Sequence, residues 1–129
     1  MVPFSAVLPA GPASLPLMRN ALRAWLEAAR WPFGETTDLI LGVNEAVTNA
    51  VEHAYQPGQA ATVQVTATEV PLPDHKRRAE ITILDRGRWR PAPADTGRGI
   101  AIMHAVAASL DIDPSPDGAK VTMTSQPVA

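Results

Sequence analysis

Four side chains in the stretch "ILGVNEAVTNAVEHAY", Ile40 to Tyr55, carry reactive groups at regular spacing: Glu45, Asn49, Glu52 and His53. At about 100° per residue on a helix, Glu45, Asn49 and Glu52 fall in one stripe, with His53 just beside it. A face built only for solubility would mix Lys and Arg with its acids, yet this stripe has no cation. Asn49 offers a neutral carbonyl oxygen suited to a hard cation such as Mg²⁺, which keeps several waters and takes few protein ligands beside phosphates. Glu45, one turn earlier, can orient or deprotonate a hydroxyl that attacks a terminal phosphate. Asp85 closes an apolar run and is followed by Arg86 and Gly87. Such an acid can accept hydrogen bonds from an amino group on a flat heterocycle, and the glycine lets the backbone approach that ring. In "DTGRGIAIMHAV", Gly97, Arg98 and Gly99 stand where a helix opens. Backbone N–H groups and the positive dipole end are available to phosphate oxygens there, and Arg98 can add a charge-assisted bond.

Each of these residues also has a plain reading. Glu45 and Asn49 can belong to a solvated helix stripe or to an interhelical hydrogen bond. His53 can be a nucleotide contact or an ordinary partly buried histidine beside Tyr55. Glu52 reads as a surface or salt-bridging residue. An acid ending a strand is often a turn-former, and Gly97 and Gly99 can be turn glycines with Arg98 in solvent. Met103 and Ile102 read as core, as do Trp25 and Trp31, which can also serve an interface. The basic run "HKRR" at 75–78 reads as a solvated hairpin tip, because no aromatic residue is interleaved to make it a nucleic-acid patch.

The elements that must hold these groups follow from periodicity. "FSAVL" reads as a short strand. Residues 14–30 read as a helix with Ser14 as N-cap and Leu15, Met18, Leu22, Trp25, Leu26 and Ala29 on its apolar face; Trp31 and Pro32 end it. A second helix, capped by Thr36 or Thr37, runs to about Tyr55. Leu39, Ile40, Val43, Ala46, Val47, Ala50, Val51 and Ala54 make its buried face. "ATVQVTATEV" and "AEITILD" alternate as half-buried strands, separated by "PLPDHKRR". After a proline-rich loop a short helix begins around Gly99. "SLDIDPSPDGAKVTMTS" makes a hairpin around an Asp-Gly turn. Hairpin strands with helices grouped between them make an α+β protein, a two-layer sandwich.

At 129 residues the chain is most simply one domain, and 46% hydrophobic residues suffice for a real core. A net charge of −2 gives no general attraction to nucleic acid or an anionic membrane. There is no cysteine, hence no disulfide framework and no thiolate chemistry. The apolar N-terminus lacks a basic leader and is broken by prolines, so neither a signal peptide nor a membrane span is expected, and a cytoplasmic location is the default. The 13 prolines punctuate one domain rather than divide two.

"NEAVTNAVEHAY", "LDRGRW" and "GRGIAIM", in that order, resemble the N-box and the two glycine boxes of the GHKL superfamily of ATP-binding domains. Within it, the likeness is greatest to the bacterial anti-sigma-factor serine kinases, the RsbW-like group. It covers nearly the whole chain and implies one domain over residues 1–129 with the Bergerat fold: a mixed, mostly antiparallel sheet covered by helices on one face. It further implies ATP and Mg²⁺ as cofactors. On this likeness Glu45 is the general base or water-positioning acid and Asn49 the Mg²⁺ ligand, and His53 faces the nucleotide. Asp85, with Gly87 beside it, recognises adenine, while Gly97, Arg98 and Gly99 form the phosphate-facing lid and helix start. Two positions depart from the pattern. Trp89 replaces the second glycine of Asp-x-Gly-x-Gly, a replacement that looks common in the RsbW-like group. Gly118-Ala119 stands where Gly-Thr is usual, so a hydroxyl contact to adenine is missing.

The resemblance implies an ATP-dependent serine/threonine kinase that phosphorylates an anti-anti-sigma (STAS-type) partner and sequesters a sigma factor; homodimerisation stays open. The alternative is a regulatory module of the same fold that binds nucleotide poorly and acts by partner exchange, which Ala119 and a short lid favour. A histidine-kinase catalytic domain is disfavoured, since Glu45 replaces the asparagine usual there and the chain leaves no room for a dimerisation helix pair.

Overall fold

The computed structural model describes residues 2–53, 61–85, 97–115 and 118–129. Strand β1 (Phe4–Pro9) leads into helices α1 (Ser14–Ala28) and α2 (Phe33–His53). Strands β2 (Thr62–Leu72) and β3 (Lys76–Asp85), helix α3 (Gly97–Val106), and strands β4 (Ser109–Ser115) and β5 (Gly118–Thr124) follow. The sheet order is β1-β2-β3-β5-β4. Every pairing among the described strands is antiparallel, so the expected mixed character is absent there.

Periodicity explains the two layers. Met18, Leu22 and Leu26 of α1 recur every fourth residue and are fully buried. Leu39, Ile40, Val43, Ala46, Val47 and Ala50 of α2 join them in one core with Val63, Val65, Ala67, Ala79, Ile81, Ile83 and Met123 of the sheet. Those sheet residues alternate along their strands, so one face meets the helices. On the other face Thr66, Thr82 and Thr122 stand in register across β2, β3 and β5. Among the described residues no helix is long and apolar enough to cross a membrane.

Both helix starts differ from the expected caps. Ala13, not Ser14, occupies the N-cap of α1 and provides no side-chain cap. Ser14 is buried in the first turn, and its hydroxyl donates to the Pro9 carbonyl at 2.6 Å, tying the helix to the end of β1. Helix α1 ends in a Schellman-type turn. Arg30 takes a left-handed φ of 57°, while the Arg30 and Trp31 amides donate to Glu27 and Leu26 at 2.9 Å. The chain reverses so tightly that α2 opens at Phe33, ahead of both threonines. The Pro32 carbonyl accepts the Thr36 amide at 2.9 Å, leaving Thr36 buried inside the helix with its hydroxyl on the Trp31 carbonyl at 3.4 Å.

The prolines of "PLPDHKRR" do not separate the strands as widely as expected. Strand β2 continues through Pro71 and Leu72, which pair with Arg77 and Lys76. Because β1 reaches only Thr62 to Ala67 of β2, Pro71 lies where no described strand needs its amide. The turn instead uses Asp74 and His75, at φ of 64° and 58°, the left-handed pair that a tight hairpin demands.

Arg77 corrects the reading of the basic run as a solvated tip. Its guanidinium lies 4.5 Å from the centre of the Trp31 ring and 3.1 Å from Glu69. It also donates to the carbonyls of Ala29 and Arg30 at the end of α1. Its backbone pairs with Val128 and its Nε donates to the Ala129 carbonyl at 3.2 Å, so the C-terminal segment, α1 and β3 meet at one residue. His75 and Lys76 are exposed, as expected.

Candidate functional site

Glu45 and Asn49 lie one turn apart on α2, both half-buried at the rim of the core. Helix α3 is anchored by Met103, which is 1% exposed, and by Ile100 packed on the core. This anchoring brings its first turn against α2 at Gly99. A methyl group at position 99 would lie 3.3 Å from Asn49 Oδ1 and 3.3 Å from Glu45 Oε2. Only a glycine there lets the α3 backbone come so close to both polar groups without displacing them.

The first N–H groups of an α-helix have no acceptor within it, and they sit at its positive end. In α3 these belong to Gly97, Arg98 and Gly99. A carboxylate, a carboxamide and the donor-rich end of a helix therefore meet in one place. That combination can hold an anion such as phosphate on the helix end, with an oxygen ligand and a base within reach.

Asp85 is the last residue of β3 and only 4% exposed. It follows Ala79, Ile81 and Ile83 in the alternation of buried residues, so it lies on the face that the helices cover. Its cross-strand neighbours are Val63 on β2 and Ala119 on β5, both buried. A carboxylate can accept a hydrogen bond from the exocyclic amine of a flat base.

Of the remaining candidates, Gly87 lies outside the described residues, as do Trp89 and the loop around it. His53 closes α2 and Arg98 stands in the first turn of α3; their side chains lie outside what is described. Glu52 is exposed at the end of the stripe. Gly42 and Arg77 were not singled out by spacing, because the signal for each is a contact made only in three dimensions. A cleft of about 850 Å³ lined by Glu69, Pro71, Leu72 and Lys76, among others, lies at the hairpin end of β3, away from Asp85.

The residues fit a divalent cation held mainly by phosphate. Among the described residues no three of His, Cys, Asp and Glu converge on one point. Asn49 presents a single amide oxygen beside a helix start, and Mg²⁺ commonly takes such sparse protein ligation with phosphates and water.

Residues 8–125 match the family described as the histidine kinase-like ATPase domain. The chain belongs to that family. Histidine kinase-like ATPase domains of the GHKL type bind ATP, usually with Mg²⁺. A crystal structure of the RsbU and RsbW domains of Rv1364c from Mycobacterium tuberculosis is similar to this domain, with a TM-score of 0.77 and 25% identity. The similarity covers 98% of this chain and 33% of that one, so the chain spans a third of its length. The histidine kinase domain of a blue-light activated histidine kinase from Erythrobacter litoralis shares the fold. Its TM-score is 0.58 at 21% identity, over 91% of this chain and 60% of that one. Among the described residues, the antiparallel sheet of five strands under three helices is thus the GHKL ATPase fold, in an RsbW-like version.

Proposed function

We propose that this domain is an ATP- and Mg²⁺-dependent serine/threonine protein kinase of the anti-sigma type, acting in the cytoplasm. It phosphorylates an anti-anti-sigma (STAS) partner and sequesters a sigma factor. The observation that carries the reading is the meeting of Glu45 and Asn49 at Gly99, where α3 starts. The partner class is what the resemblance of the sequence motifs to the RsbW-like group implies.

In this reading Asp85 accepts a hydrogen bond from the adenine amine, and the backbone N–H groups of Gly97 to Gly99 hold the phosphates. Asn49 ligates the metal, which when bound neutralises charge on the phosphates. Glu45 takes the proton of a partner serine or threonine hydroxyl. As it does so, that oxygen bonds to the terminal phosphorus and the bond to the departing ADP oxygen breaks. The test is transfer of labelled terminal phosphate from ATP to a purified STAS-type partner, read against Glu45→Ala. Transfer that survives the substitution overturns Glu45 as the base, and no transfer by the wild-type protein overturns the kinase.

One observation favours a second reading. Ala119 places a methyl group opposite Asp85 where a threonine hydroxyl would help hold the base. A domain with that gap works as a regulatory module of weak or no kinase activity, acting by partner exchange. Partner binding that is independent of ATP supports it.

A further inference from the structure

Glycine inside a helix is disfavoured relative to alanine, yet α2 buries one at position 42. The reason lies on α3. A methyl group on Gly42 would lie 2.9 Å from Val106 Cγ2 and 3.2 Å from Met123 Sδ. Carbon atoms in good contact stay about 3.5–4.0 Å apart, so the valine would have to move. Val106 is β-branched and stiff in a helix, whereas the Met123 thioether can give way.

The two helices therefore touch at two glycines. The C-terminal turn of α3 seats Val106 on Gly42 of α2, and the N-terminal turn lays Gly99 on Glu45 and Asn49. The helices run antiparallel, and roughly 10 Å of rigid α-helix joins the two contacts, at 1.5 Å per residue. A displacement at one end is carried to the other.

We propose that Gly42 is a positioning residue. The seat of Val106 upon it sets where the first turn of α3 stands against Asn49 and Glu45. This rests on the reading of that turn as the phosphate site, because a shift of about 1 Å there can cost up to 10²-fold in activity. Met103 holds the middle of α3 in the core, so the helix tilts about that point rather than detaching.

The experiment compares wild type, Gly42→Ala and the double variant Gly42→Ala/Val106→Ala. One measurement is the amide resonance of Gly99 in nucleotide-free protein, and the other is Mg²⁺-ATP affinity by titration calorimetry. Gly42→Ala is expected to unfold cooperatively, to shift the Gly99 resonance and to weaken binding roughly tenfold. The double variant restores both. A Gly99 resonance that does not move, or a double variant that restores neither property, overturns the proposal. If Gly42→Ala does not fold, Val106→Ile lengthens the same contact from the α3 side and must move the same resonance. Should wild type bind no nucleotide, the nucleotide reading fails by itself, while the resonance still decides whether Gly42 positions α3.

Discussion

Asp85 and Ala119 lie directly opposite each other across β3 and β5, both buried on the helix-covered face. Opposed residues in an antiparallel pair hold their Cβ atoms about 4.5–5.5 Å apart, so a side chain at 119 becomes part of whatever Asp85 recognises. Ala119→Thr adds a hydroxyl at that point. It is expected to tighten ATP binding by about 3–10-fold, the worth of one net hydrogen bond, with a small loss of melting temperature from overpacking. Unchanged affinity in a folded variant removes Ala119 as a reason for weak nucleotide binding.

Asn49→Ala tests the metal. The side chain is half-buried at the rim, so its loss leaves no large cavity and the melting temperature is expected to stay nearly constant. Mg²⁺-ATP binding weakens, whereas binding of ATP in the presence of a chelator changes little. A large drop in stability with unchanged binding shows instead that Asn49 serves the fold.

Glu45→Ala separates enzyme from binder. A base contacts the attacking hydroxyl in the transition state and adds little to ground-state nucleotide binding. ATP affinity is therefore expected to stay within a few-fold while phosphoryl transfer falls by about 10²–10⁴. Under the proposed function, sigma-factor binding is expected to survive, since it would rest on the protein surface and not on proton transfer. Parallel loss of affinity and transfer assigns Glu45 to binding.

Arg77→Ala reaches the opposite end of β3. It removes the cation over Trp31, the Glu69 ion pair and the donors on the last carbonyls of α1. Charged hydrogen bonds of this kind contribute about 1.5–3 kcal/mol each where they are desolvated, and Arg77 is half-buried. A total loss of about 2–3 kcal/mol is expected in urea unfolding, with ATP affinity unchanged. Arg77→Lys recovers only part of it, because an ammonium cannot match the planar fork. Full stability in Arg77→Ala shows these contacts to be dispensable.

The hairpins, the helix faces and the polar stripe were legible in the sequence because each is written at short range. Period two in "VQVTATEV" and spacings of three and four in α2 report which residues are buried without reference to any other element. Element ends were less legible. Ser14 and Thr36 have the side chains of N-caps, but Ser14 gives its hydroxyl to the Pro9 carbonyl, and the Schellman turn at Arg30 with the carbonyl of Pro32 settles where α2 begins. Pro71 reads as a strand end, yet the strand tolerates it because β1 does not extend alongside it.

From the sequence alone came the antiparallel α+β character, the order of the motifs, and the pairing of Glu45 with Asn49 on one helix stripe. Tertiary structure decided what meets them. Which residue of α3 approaches Asn49, which one sits opposite Asp85, and why α2 spends a glycine at position 42 all depend on contacts between segments far apart in the chain. Local propensity does not encode such contacts. They arise from the fit of whole faces, where a single Cβ at position 42 or 99 determines how closely two helices can lie.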